Sequence, residues 1–216
     1  MTFISRLLFA GLVVGQLVAC QSTSEPNSES ALSVENLKTP EEHQAFLENI
    51  YELDQRYRHQ EDSVLQQFGH DSPEHQAIWE TINNTDVANF QAIQQYLTTY
   101  GHPDPAVVGE LAASAPWIVV HHASSYESRA WAFPYFYPAY QKGHLDEGQF
   151  SFYLNRMYRI ANGGEEFPIE SPFREEDRIQ GIIKALDLSV DSGGVLIPCH
   201  QTVKLSLSFC GMQAVP

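Results

Sequence analysis

The sequence lacks every signature of a nameable chemistry. It has no G-x-S-x-G nucleophile elbow, no H-E-x-x-H zinc pair, no glycine-rich phosphate loop and no reactive-cysteine pattern, so no nucleophile can be identified. Cysteine is scarce, at three in 216 residues. Positive charge is scarce too: 12 lysines and arginines face 27 aspartates and glutamates, for a formal charge of -15. The acidic residues are spread along the chain. Such a surface repels phosphate backbones and anionic headgroups, which argues against a nucleic-acid partner and keeps the protein soluble. No apolar run reaches the roughly 20 residues that a bilayer-spanning helix requires. Apolar content is ordinary at 43%, and aromatic residues are plentiful at 12%, so the middle of the chain is globular.

The N-terminus has the layout of a targeting segment. Met1 to Arg6 is a short basic region and Leu7 to Val18 an apolar one. Leu17-Val18-Ala19-Cys20 resembles the lipobox of bacterial lipoproteins. The resemblance implies that residues 1–19 are a signal peptide and that Cys20 is lipidated (a palmitate-type anchor) after cleavage. A buried helix followed by an incidental cysteine is the rival reading; it fits the three regions less well. Gln21 in place of aspartate suggests outer-membrane sorting, with the protein facing the periplasm or the cell surface. Residues 20–38, rich in Ser, Glu and Asn, read as a flexible tether. The membrane is thus an expected partner through a lipid anchor and not through a span.

From residue 39 the pattern becomes helical. Thr39-Pro40-Glu41-Glu42 predicts a capped helix start, followed by Phe46, Leu47, Ile50, Leu53 and Tyr57 at helical spacing. Asp54 lies at the edge of that face and forms an i,i+4 pair with Arg58, but on spacing alone Asp54-Gln55-Arg56 reads better as a solvated helix end. A long helix is expected from Pro73 to Thr99, with Trp79, Ile82, Phe90, Ile93, Leu97 and Tyr100 as its stripe. Asp86 and Asn89 fall on the same stripe. A carboxylate on a core face is costly unless partnered, so either Asp86 has a partner or the helix kinks near Asn83-Asn84-Thr85 and leaves it in water.

The stretch from Tyr100 to Ser125 should organise the rest, with neighbouring helices packed around it. Gly101 stops the preceding helix, Asp104 caps a short one at Pro105, and Ser114 with Pro116 suggests a fresh start. In Trp117 to His122 three β-branched residues in a row argue strand and the all-helical context argues helix; it is read as helix, with one of His121 and His122 facing the core. Pro134 and Pro138 should divide Glu127 to Lys142 into two short helices. Asp146 and Gln149 start another, whose inner face is Phe150, Tyr153, Leu154, Met157, Ile160 and Ala161. On it, Arg156 either reaches a buried carboxylate or lies exposed along apolar surface. Glu175 to Asp187 forms a last helix with Ile179, Ile182, Ile183 and Leu186 inside. The expected fold is mainly α: an irregular single-domain bundle of about six to eight helices over residues 39–188, with a short β-like extension over 189–216. Cys199 and Cys210 flank the alternating run Val203 to Phe209. A disulfide between them and free thiols both remain open, because a straight strand of roughly 20 Å would separate the sulfurs.

The order of features over about residues 41–188 resembles a bacterial family, domain-of-unknown-function family 6624. The resemblance runs through Asp54-Gln55-Arg56, Trp79, Asp86-x-x-Asn89, Gly101-x-Pro103, Val108-Gly109, His122-Ala123, Tyr153-Leu154, Arg156 and Pro168-Ile169. Members usually carry glutamine where His121 stands, aspartate where Ser124 stands and an Asp-Arg pair where Asn155-Arg156 stands. A Gln-Tyr-Gly-Thr-Gln type segment is replaced here by Asn162 to Phe167. The resemblance implies candidate positions and no chemistry.

Two functions follow. The favoured one is a lipid-anchored binding or scaffold module for a protein or small molecule, in which Asp86, Asn89, His122 and Arg156 form a buried polar network. The alternative is a hydrolase-like enzyme: His122 as acid or base, oriented by Asp86, with Arg156 and Asn89 on an anionic substrate. Asp54, Arg56 and His121 are further candidate binding residues. No cofactor is implied, and no metal site is expected because His121 and His122 diverge on a helix.

Overall fold

The computed structural model describes residues 33–169 and 171–189. The signal segment, Cys20, the Cys199–Cys210 pair and the alternating tail lie outside the described residues. The protein is mainly α-helical, with seven helices and no strand among the described residues. None of these helices is long and apolar enough to cross a membrane.

A 3-10 turn at Val34–Asn36 leads into α1 (Pro40–Phe68), α2 (Pro73–Tyr100), α3 (Pro105–Val108), α4 (Glu110–His122), α5 (Tyr126–Gln141), α6 (Glu147–Ala161) and α7 (Glu175–Ala185). Local chemistry sets most of the starts. Thr39 Oγ1 accepts from the Glu42 amide at 3.3 Å while the Glu42 carboxylate accepts from the Thr39 amide at 3.0 Å, which closes the expected capping box. Asp146 and Gln149 form a second capping box at α6, and the Ser72, Asp104 and Ser125 side chains each accept from a first-turn amide of α2, α3 and α5. Gly101 ends α2 at φ 75°, a conformation that an L side chain rarely adopts, with its amide on the Leu97 carbonyl.

The hub is α4. Its buried positions are mostly small, Ala112, Ala113, Ala115, Val119 and Val120, so neighbouring helices can approach closely. α4 contacts α1, α2, α3, α5 and α6, as expected of the stretch that was to organise the chain. α1 and α2 run past it as a long hairpin. Leu47 and Ile50 of α1, and Ile93, Tyr96 and Leu97 of α2, pack into one core with Phe133, Phe136, Phe150, Tyr153 and Met157 from α5 and α6. Beyond Asp54 no residue of α1 is buried, and Leu65 and Phe68 are exposed.

The structure corrects several expectations. α5 is one helix through Pro134 and Pro138, and α4 is one helix through Pro116. Each proline removes one internal hydrogen bond. Pro134 and Pro138 are four residues apart on one half-exposed stripe, where the freed carbonyls can be solvated. α2 is unbroken past Asn83-Asn84-Thr85, and Asp86 is partly buried there and not left in water. α1 does not end near Arg56 but continues for three more turns. Trp79 is 44% exposed and Ile160 38%, and Ala161 is exposed, so none belongs to the core faces assigned to them. Tyr100 is also outside the core, its hydroxyl donating to the Val34 carbonyl at 2.7 Å.

These assignments are separable by mutation. Met157 is fully buried and Ile160 is not. Met157→Ala should cost about 2–5 kcal/mol in a chemical denaturation experiment, and Ile160→Ala less than about 1 kcal/mol. Equal losses would place Ile160 in the core after all.

Candidate functional site

Asp54 is the most deeply buried carboxylate among the described residues, at 2% exposure. It follows Leu47 and Ile50 on the inner face of α1 at helical spacing, so the helix itself carries it inward. Burial of a lone carboxylate is prohibitive, and three donors surround this one. Gln55 Nε2 donates to Oδ2 at 2.7 Å, His122 Nδ1 lies 2.9 Å from Oδ1, and Arg58 Nε lies 3.5 Å from Oδ2. Arg58, one turn along α1, also donates from Nη2 to Asp86 Oδ1 of α2 at 2.7 Å. One cluster thus joins α1, α2 and the C-terminal end of α4.

The His122 ring has two claims on one nitrogen. Arg58 Nε is 3.2 Å from Nδ1, and Asp54 Oδ1 is 2.9 Å from the same atom. An unprotonated Nδ1 would set its lone pair against the carboxylate. A protonated Nδ1 makes a charge-assisted bond to Asp54 and leaves Arg58 to the two carboxylates, so Nδ1–H is the consistent assignment. Nε2 then holds the free lone pair of the neutral ring, with no hydrogen bond among the described residues. The His122 side chain is 19% exposed.

The expected partnerships are redistributed. Asp54, and not Asp86, orients His122; Asp86 pairs with Arg58. Arg58, and not Arg156, is the inward-reaching arginine, and Arg156 is exposed. Asn89 is buried, 3.5 Å from the Ile50 carbonyl, and makes no bond to the cluster. Arg56 is on the surface, paired with Glu52. The solvated-end reading of Asp54 fails because its face turns toward α4. Both histidines are half-buried instead of one facing in: His121 stacks on Trp117, with ring centroids 5.4 Å apart, and touches Phe152 and His122 at 5.0 Å each. Arg58 was visible as an i,i+4 partner of Asp54, but nothing local marked it as the centre of a cluster. Arg129 was missed. It is fully buried at the start of α5, donating from Nη2 to the His121 and Ala123 carbonyls at 2.5 and 2.6 Å, so it caps α4.

Asp54, Asp86 and His122 offer three ligand atoms within 4.8 Å of one another, a grouping that histidine spacing alone did not disclose. The donors suit a divalent cation in kind. The Arg58 guanidinium already bonds Asp86 and abuts the other two groups, however, so a metal ion would have to displace it. The residues therefore fit an arginine-centred cluster better than a metal centre.

A second cluster lies at the hairpin tip. His75 is buried and contacts the His70 carbonyl through Nδ1 and Glu61 through Nε2, both at 2.7 Å. Trp79 Nε1 is 3.0 Å from the same Nε2. Beside it runs a shallow groove of about 580 Å³, lined by His70, Gln76, Trp79 and Asn83 among others.

No family model, no curated protein and no solved structure matches the chain.

Burial holds two histidines neutral. It pushes His121 down to about 4, with His122, Arg156, Arg129 and Arg58 adding to the effect. It likewise pushes His102 down to about 4, against the opposing effect of a bond to the Pro103 carbonyl. Both fold as neutral rings while the unfolded chain titrates near 6.5, so unfolding takes up protons below that pH. Stability should be complete above 6.5 and decline as pH falls toward 4. Denaturation midpoints at pH 7, 6, 5 and 4 test this, and His102→Gln should flatten the decline; an unchanged slope would refute the assignment for His102.

Proposed function

We propose that the chain is a lipid-anchored envelope protein whose helical domain is a binding or scaffold module, with Asp54, Arg58, Asp86 and His122 acting as a clamp that fixes α1, α2 and α4. One observation carries this reading: the charged groups of the cluster are spent on each other. Arg58 contacts both carboxylates, and Asp54 has a partner for each oxygen. A network satisfied in this way specifies helix packing and leaves little charge for chemistry. The anchor rests on the Cys20 lipobox resemblance.

A second reading has its own support. Asp54 fixes the His122 tautomer and leaves Nε2 free, the arrangement that an acid/base histidine needs. No nucleophile accompanies it, so the clamp is preferred.

Stability separates the two. Arg58→Met leaves Asp86 without its partner and takes one of three from Asp54, and Asp54→Ala takes one of two carboxylates from Arg58 and the acceptor from His122, so each should cost about 1–3 kcal/mol in denaturant titration. A double Asp54→Leu, Arg58→Met variant should lose less than the sum of the two single losses, because both groups belong to one network, with Asp86 still deprived of Arg58. If His122→Ala and Asp54→Ala both leave the midpoint unchanged, the clamp is wrong and the acid/base reading takes its place. The anchor is tested separately: Cys20→Ser should move the protein from the detergent-extracted membrane fraction to the soluble one. Persistence in the membrane fraction would count against lipidation.

A further inference from the structure

In a chain of charge -15, a buried cation should find a carboxylate easily, yet Arg129 has none among the described residues. It is fully buried and forms no ion pair among the described residues. Its Nη2 is used in capping α4, but Nε and Nη1 are buried without partners. Two further buried polar atoms are also unpartnered: His121 Nδ1, on the residue whose carbonyl Arg129 caps, and Asn155 Oδ1 on α6. α6 adjoins Arg129 directly, since the Tyr153 hydroxyl donates to the Arg129 carbonyl at 2.6 Å. Asn155 and Arg156 share an α6 face with Phe152, whose ring touches His121. Arg156 has no ion-pair partner among the described residues and lies at the surface.

The physics asks for a particular kind of occupant. A water molecule would answer the unmade hydrogen bonds and leave the charge unpaired. An oxyanion answers both, and guanidinium forks match carboxylate and phosphate oxygens. Turning the Asn155 amide by 180° puts its NH2 where the oxygen now lies, so it can donate. A neutral His121 can donate from Nδ1. The exposed side chains of Phe152 and Arg156 stand at the outer edge, where rotation would admit a ligand.

We propose that an oxyanion group, a carboxylate or a phosphate of a small ligand, binds between the C-terminal end of α4, the first turn of α5 and the α6 face of Asn155 and Arg156. Arg129 is its buried counter-charge and Arg156 its outer contact. The site goes beyond the clamp and uses none of the four clamp residues, so each can fail without the other. The low proton affinity of His121 fits this crowd of cations, with burial the larger cause.

The test is the melting temperature of the full chain in a non-ionic detergent at pH 7, in sodium phosphate, sodium acetate or sodium chloride at matched ionic strength. Phosphate, acetate or both should raise it saturably above chloride, and which one does so identifies the oxyanion. Arg156→Ala, at an exposed position, should weaken the response by about tenfold in apparent affinity. Asn155→Asp supplies the missing carboxylate from the chain itself. It should raise the melting temperature in chloride and abolish the response to added anion. The proposal is overturned if neither anion exceeds chloride, if the response survives both substitutions undiminished, or if Asn155→Asp lowers the melting temperature.

Discussion

Asp54 is a negative charge placed at the junction of three helices, and the arrangement around it follows from the need to keep that charge satisfied. Its two oxygens take up Gln55, His122 and the edge of Arg58, and Arg58 in turn reaches Asp86. Helices α1, α2 and α4 are therefore registered by polar contacts at one end and by apolar packing, Leu47 and Ile50 against Ile93 and Val120, along the rest. The apolar core would tolerate small sliding of one helix on another. The Asp54–Arg58–Asp86–His122 contacts would not, because their directional bonds lose strength steeply with misalignment.

Much of the helical framework was legible in the residues. Thr39 with Glu42, Ser72 with Pro73, Asp104 with Pro105 and Asp146 with Gln149 each marked a start, because a cap is a local event in which side chain and amide lie within a few residues. The bundle's α class followed from periodicity, and the helical state of Trp117 to His122 from the helical context, against the strand preference of Ile118, Val119 and Val120. The prolines of α4 and α5 misled, since a proline forbids one hydrogen bond and not a helix; packing on both sides of Pro116 keeps the chain helical there.

The cluster was legible only in part. Asp86 and His122 could be singled out as polar groups with a claim to inward faces, whereas Asp54 stood at the edge of its face and read better as part of a solvated helix end. Their pairing could not be read, because Asp54 and His122 are 68 residues apart and periodicity reports a face, never the neighbour it meets. Arg156 and Arg58 illustrate the limit. Both stand one turn from inward positions, yet only Arg58 has carboxylates within reach. Arg129 gave no periodic signal, since its role depends on the carbonyls at the end of the preceding helix.

The α1–α2 hairpin has a further consequence. α1 alone, at 29 residues, is roughly 43 Å long, and its last fourteen residues contain no buried side chain. What fastens the hairpin tip is a polar clasp, Glu61 to His75 to Trp79, where the core would normally serve. Such an arm can peel back without disturbing the core. Amide exchange along Gln60 to Trp79 should therefore proceed by small local openings, while amides near Ile93 and Val120 exchange only when the whole bundle comes apart. The domain thus carries a long arm whose tip is held by polar contacts, and any partner that grips the tip meets the clasp and not the core.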